Sequence, residues 1–130
     1  MRVLIADDHL ANRRLLAHIA AAQGWRAVCV EDGAAAVRAC QSDEPFDAIL
    51  LDRRMPQVTG EDAARAIRAM GGWAEKAAIV GVTADFSGDI REACIAAGMD
   101  ECLAKPLDCA MLVKAVRRFA PIAPLSRAVA

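Results

Sequence analysis

The segment Phe46-Asp47-Ala48-Ile49-Leu50-Leu51-Asp52 carries four apolar residues in an unbroken run and ends the run on a carboxylate. A strand with one wet face alternates apolar and polar residues, so a continuous run rich in branched side chains is a strand buried on both faces. That requirement restricts the fold to a sheet covered by helices on both sides, built from parallel strands with helical crossovers. Asp52 stands at the carboxyl end of the run, and Pro56 and Gly60 turn the chain just beyond it. Open α/β sheets bind ligands in the crevice outside the carboxyl ends of their strands, which is where Asp52 falls.

Four further runs repeat the theme. Val3-Leu4-Ile5-Ala6 ends on Asp7-Asp8, Ala27-Val28-Cys29-Val30 is followed by Glu31-Asp32-Gly33, Ala78-Ile79-Val80-Gly81-Val82 ends on Thr83, and Cys102-Leu103-Ala104 ends on Lys105-Pro106. Helical patterns separate them. The first puts Leu15, Leu16 and Ile19 on its inner face and stops at Gly24. The second, Ala34 to Cys40, turns Val37 and Cys40 inward. The third opens on Thr59-Gly60-Glu61-Asp62, the shape of a capping box, buries Ala63, Ile67 and Met70, and ends at Gly71-Gly72. A shorter helix runs from about Ile90 to Ala97. The last is capped by Asp108 and faces inward with Leu112, Ala115, Val116 and Phe119. Five strands alternating with five helices predict an α/β, doubly wound, parallel five-stranded sheet over residues 1–120. Residues 121–130, which include Pro121 and Pro124, read as a C-terminal tail or the start of a linker.

Composition removes several functions. A net charge of −1, 4% aromatic residues and no Tyr argue against a nucleic-acid surface. No apolar run approaches membrane-spanning length and the start is too short for a signal peptide, so the expected location is the cytoplasm and no membrane partner is expected. The five cysteines form no CxxC and have no flanking histidine, which reads as reduced structural thiols.

Four strand ends thus present polar residues at one edge of the sheet: Asp7-Asp8, Asp52, Thr83 and Lys105. Asp7-Asp8 alone would also serve as a helix cap, Thr83 as strand filler and Lys105 as a solvated loop residue; the combination is what points to a site. Three carboxylates at close range repel one another, and a hard divalent cation with oxygen ligands, Mg2+, resolves that cost. A metal and an ammonium together suit a tetrahedral dianion, a phosphoryl group, to which the Thr83 hydroxyl can donate a hydrogen bond. A carboxylate can itself attack phosphorus, and Asp52, between the acidic pair and the lysine, is the candidate. His9 reads as a solvated loop residue. No glycine-rich phosphate loop is present, so nucleotide binding has no support.

In Asp7-Asp8, Asp52-Arg53-Arg54-Met55-Pro56 with Gly60, Val82-Thr83-Ala84, Gly98-Met99-Asp100-Glu101 and Lys105-Pro106, the chain resembles the receiver domain of two-component response regulators, from about Arg2 to Phe119. The resemblance implies a flavodoxin-like sheet of order 2-1-3-4-5. It implies that Asp52 takes a phosphoryl group from the phosphohistidine of a histidine kinase or phosphotransfer protein. Asp8, Asp52 and the backbone carbonyl of Arg54 would bind Mg2+, with Asp7 assisting through water, while Thr83 and Lys105 hold the phosphoryl oxygens. The Lys105–Pro106 bond would be cis. A receiver is not an enzyme beyond its own phosphorylation and slow dephosphorylation. Its output passes through the face of the fourth helix, fifth strand and fifth helix to a downstream target, a fused output domain or a phosphorylation-linked homodimer. The sequence departs from the family at Cys102, where an aromatic switch residue is usual, and at Arg53-Arg54. Arg54 and Asp85 are expected to pair over the site and slow hydrolysis. The competing readings are a degenerate receiver serving as a docking or dimerisation module, and a small Mg2+-dependent aspartyl phosphohydrolase.

Overall fold

The computed structural model describes residues 1–120; the expected tail or linker at 121–130 lies outside the described residues. Five parallel strands, β1 (Arg2–Ala6), β2 (Arg26–Val30), β3 (Ala48–Asp52), β4 (Ala78–Thr83) and β5 (Glu101–Ala104), form one sheet of order β2-β1-β3-β4-β5. The helices are α1 (Leu10–Ala22), α2 (Gly33–Cys40), α3 (Gly60–Ala69), α4 (Gly88–Ala96) and α5 (Cys109–Phe119). A short 3-10 turn at Gly72–Glu75, which the sequence reading missed, precedes β4.

The two-residue period of the central strands splits the core into two layers. Leu4, Ala6, Ile49, Leu51 and Ile79 pack with α2, α3 and α4, while Val3, Ile5, Leu50, Ala78 and Val80 pack with α1 and α5. The capping side chains of Asp32, Thr59, Ser87 and Asp108 accept backbone N–H groups at the starts of α2 to α5. For α3 this is half of a capping box: Thr59 Oγ1 accepts from Asp62 N at 3.2 Å.

Several expected inward residues face elsewhere. Leu15 is 48% exposed, because adjacent helical residues are about 100° apart and Leu16, Ile19 and Ala20 take the buried face. Met70 is partly exposed because α3 ends at Ala69, which leaves it as the C-cap. Phe119 and Val37 only border the core. The N-cap of α1 is His9, not Asp7 or Asp8, and its side chain makes no capping bond.

Arg68, at the end of α3, ties three elements together. Its guanidinium donates to the carbonyls of Ala74, Ala77 and Gly98 and to Asp100 Oδ2 at 3.0 Å, and Asp100 Oδ2 also accepts Ile79 N. Those carbonyls lie where α4 and the 3-10 turn would otherwise leave acceptors unpaired.

Candidate functional site

The carboxyl ends of β1, β3, β4 and β5 bring the expected site residues to one edge. Beyond β1, Asp7 N donates to Val30 O at 3.2 Å, which keeps the chain in register for one more residue. Asp7 Oδ1 then accepts His9 N at 2.8 Å, so the carboxylate forms the turn into α1. Beyond β3, Arg53 N donates to Val82 O and Gly60 N returns to Arg53 O, each at 2.9 Å. A Cβ on Gly60 would come within 2.6 Å of Asp52 O, so this glycine lets the start of α3 press against the loop that carries Asp52. Beyond β4 and β5, Lys105 N donates to Thr83 O at 2.8 Å, and the Lys105–Pro106 bond is cis.

The side chains converge. Lys105 Nζ lies 3.3 Å from Asp52 Oδ1 and 3.6 Å from Asp7 Oδ2. Ligand atoms of Asp7, Asp8, His9 and Asp52 all lie within 4.8 Å of one another. Asp7 is fully buried and Asp52 is 5% exposed. Burial, and then the neighbouring Asp7 charge, push the Asp52 carboxyl above its ordinary range; the Lys105 ammonium opposes that rise. Asp7 Oδ2 is buried and accepts no hydrogen bond. A carboxylate oxygen left this way beside two more carboxylates fits a hard divalent cation, and the oxygen donors fit Mg2+.

Thr83 is buried, and its hydroxyl is engaged in its own turn, accepting from Asp85 N at 3.2 Å and donating to Asp85 O at 3.4 Å. Asp85 also forms an ion pair with Arg54, joining the loops after β3 and β4 at the mouth of the site. Arg53 turns the other way. Its Nε lies 3.1 Å from Glu61 on α3.

Cys102 is buried, not poised at the surface. Burial, and then the neighbouring Cys94 thiol, push its thiol up to about 12. Met99 and Cys102 both lie over Gly81, where a Cβ would come within 2.5 Å of Met99 Sδ. The layer under the expected switch position is therefore filled by sulfur-bearing side chains. All five cysteines are free, with Cys29 and Cys109 exposed.

His9, expected as a solvated loop residue, is exposed and stands at the edge of the site. Its ring is solvated, yet Nδ1 sits 3.0 Å from Asp8 Oδ1 and 3.7 Å from Asp7 Oδ1. The Asp-Asp-His succession was visible, but nothing in it told which way the ring would turn. The Arg53–Glu61 contact left no sequence signal, since it depends on how α3 sits on the sheet.

A doubly wound sheet of this order, with three acids, a buried hydroxyl and an ammonium at its carboxyl edge, defines a class of phosphoryl-handling signalling fold. Comparison with known proteins narrows it: residues 3–117 match the response regulator receiver domain, and the chain belongs to that family. It is 33% identical to the sensor histidine kinase RcsC of Salmonella typhimurium over 120 residues, covering 92% of this chain and 12% of that protein. It is 37% identical to the virulence sensor protein BvgS of Bordetella pertussis over 111 residues, covering 82% and 9%. The chain thus spans about a tenth of the length of these relatives. Among solved structures, the receiver domain of sensor histidine kinase PA1611 from Pseudomonas aeruginosa, with magnesium coordinated in its active-site cleft, superposes with a TM-score of 0.81 at 34% identity, covering 91% of this chain and 95% of that one. The CheX–CheY complex of Borrelia burgdorferi with BeF3 and magnesium contains a chain similar at 25% identity and a TM-score of 0.83, covering 91% and 87%. The chain is a receiver domain of two-component signalling, a signalling domain with an acidic cluster fit for Mg2+. Among the described residues no helix is long and apolar enough to cross a membrane.

Proposed function

We propose that this domain is a Mg2+-dependent phosphoacceptor in which Asp52 takes the phosphoryl group of a phosphohistidine, carried by a histidine kinase or a phosphotransfer protein. The observation that carries the reading is the meeting of Asp7, Asp52 and Lys105 at 3.3–3.6 Å in one buried pocket. Asp8, Asp52 and the Arg54 carbonyl would hold the ion, with Asp7 supporting it through water. Bound Mg2+ supplies neutralisation of the carboxylates and of charge on the phosphoryl oxygens.

The chain's own groups do the rest. Lys105 holds Asp52 by an ion pair, and its ammonium is placed to turn toward a phosphoryl oxygen. Asp52 attacks phosphorus; the new P–O bond forms as the P–N bond to the donor imidazole breaks, and the imidazole recovers a proton from solvent. Thr83 then exchanges its bonds with Asp85 for one to a phosphoryl oxygen. No acid or base stands two residues past Asp52. Arg54 is there instead, paired with Asp85, which favours a held phosphoryl group over rapid hydrolysis.

A cleft of about 200 Å³ between α1 and the loop after β5 opens next to the site, lined by Asp7, Leu15, Lys105 and Leu107 among others. The exposed Leu15 on its rim gives an apolar contact point at which a donor protein can dock. Output would leave by the α4-β5-α5 face, toward a downstream protein, a fused output domain or a phosphorylation-linked homodimer. Residues 1–120 would form the receiver unit and 121–130 its tail or linker, in the cytoplasm. The lengths of the relatives suit a receiver within a larger sensor protein.

The test is transfer of labelled phosphate from a phosphorylated histidine kinase domain to this chain. Label should pass to the chain with Mg2+ present and should not pass to Asp52→Asn. Labelling of Asp52→Asn at the parent's rate would place the acceptor elsewhere.

A further inference from the structure

We propose that Arg13 is a positioning residue of the acidic site: its guanidinium fixes the peptide between Asp7 and Asp8, and through that peptide the direction in which the Asp8 carboxylate points. The inference rests on the reading of this cluster as a Mg2+ site and adds to it a residue that touches neither the ion nor the phosphoryl group. Three observations carry it. Arg13 Nη1 donates to the backbone carbonyl of Asp7 at 2.8 Å. The side chain is held there, 14% exposed, with Nη2 3.7 Å from Glu31 Oε1 in the loop after β2, whereas the neighbouring Arg14 is exposed. Asp8 itself is exposed, and its carboxylate contacts the solvated His9 ring at 3.0 Å, so its aim depends on the backbone that carries it.

Peptide geometry gives the link. The unit from Asp7 Cα to Asp8 Cα is planar, so a hold on Asp7 O is a hold on the N and Cα of Asp8. Asp7 N is tied to Val30 O and Asp7 Oδ1 to His9 N, which leaves the carbonyl as the remaining free handle of the turn. A charge-assisted bond to it is stronger than water would supply. Arg13 is the fourth residue of α1, and helical side chains lean back toward the N-terminus, which carries the guanidinium over the turn. A cation at that end opposes the helix dipole, and the first turn of α1 holds no acidic residue to offset it. The carbonyl it serves explains the placement. Charge alone would make Arg13 repel a divalent cation, so positioning and simple electrostatics predict opposite signs when it is removed.

The test measures Mg2+ affinity by calorimetry on the full chain, at a temperature where every variant is folded, and the Asp8 amide signal by NMR in chelator. Arg13→Met keeps the stem and removes the charged fork, and Arg13→Lys keeps a charged donor. Arg14→Met removes the same charge without touching the Asp7 carbonyl, and Arg68→Ala lowers stability away from the site. Arg13→Met should weaken Mg2+ binding by about tenfold or more and shift the Asp8 amide even without metal. Arg13→Lys should recover part of the loss. Arg14→Met and Arg68→Ala should bind Mg2+ at least as well as the parent. Unchanged or tighter Mg2+ binding in Arg13→Met overturns the proposal, as does an Asp8 amide that stays in place. An equal loss in Arg68→Ala also overturns it, since affinity would then only follow stability. A parent that binds no Mg2+ sinks the metal reading and this inference together, whereas a parent that binds it no better than Arg13→Met removes this inference alone.

Discussion

Replacing Lys105 by methionine keeps most of the side-chain volume and removes the ammonium that faces two carboxylates. At an effective dielectric near 20, contacts of 3.3 Å to Asp52 and 3.6 Å to Asp7 are each worth about 5 kcal/mol of attraction before the ammonium's desolvation is subtracted. Removing one partner of a buried pair costs about 3–5 kcal/mol, and partial exposure of Lys105 together with proton uptake by the carboxylates brings the expected loss to about 2–4 kcal/mol. For a domain of this size that lowers Tm by roughly 8–16 °C. The assay is thermal unfolding by circular dichroism at neutral pH, with chelator and with Mg2+. Because the cation supplies the charge that the lysine no longer does, Mg2+ should raise Tm more in Lys105→Met than in the parent. The variant should also hold a phosphoryl group poorly. If Lys105→Met unfolds at the parent's temperature in chelator, or gains no more from Mg2+ than the parent, the electrostatic account of the pocket is refuted.

Arg54→Ala should shorten the lifetime of the phosphorylated form by up to about fivefold, the range of an exposed ion pair worth about 0.2–1 kcal/mol; an unchanged lifetime would remove Arg54 and Asp85 from the control of hydrolysis. Asp52 binds its proton more tightly in the folded chain than its ordinary 3.8, so between that value and its raised one stability falls as pH increases. Metal-free Asp52→Asn should therefore melt above the parent at pH 7, with the gap closing as pH falls toward 3.8; a constant gap would contradict the shift. Arg68→Ala should lose about 2–3 kcal/mol in urea unfolding, because it strips charged partners from the carbonyls of Ala74, Ala77 and Gly98; a loss near zero would show that water replaces the guanidinium.

The strands and the site edge were legible because buried runs such as Ala48–Leu51 have one structural reading and because each run stops on a polar residue. Strand order was not in those spacings; it came with the family resemblance, since parallel crossovers of similar length permit several orders. Apolar content misled where neighbours compete for one buried sector, as at Leu15 beside Leu16, and at Met70, one residue past the end of α3. Contacts made by long side chains across elements were invisible. Arg68 reaches Asp100 over 32 positions, and Arg53 turns from the site to Glu61. Cys102 was singled out as a departure from the family pattern. Its environment, with the Met99 and Cys102 sulfurs both over Gly81, could not be read from one position.

The central claim is that the pocket of Asp7, Asp8, Asp52 and Lys105 places a phosphoryl group on one particular carboxylate. Incubation of the chain with a small-molecule phosphodonor, with Mg2+ or with chelator, followed by intact mass and peptide mapping, tests it most directly. The account predicts a single phosphoryl adduct that requires Mg2+ and maps to Asp52. An adduct that forms equally in chelator, or that persists in Asp52→Asn, would contradict it.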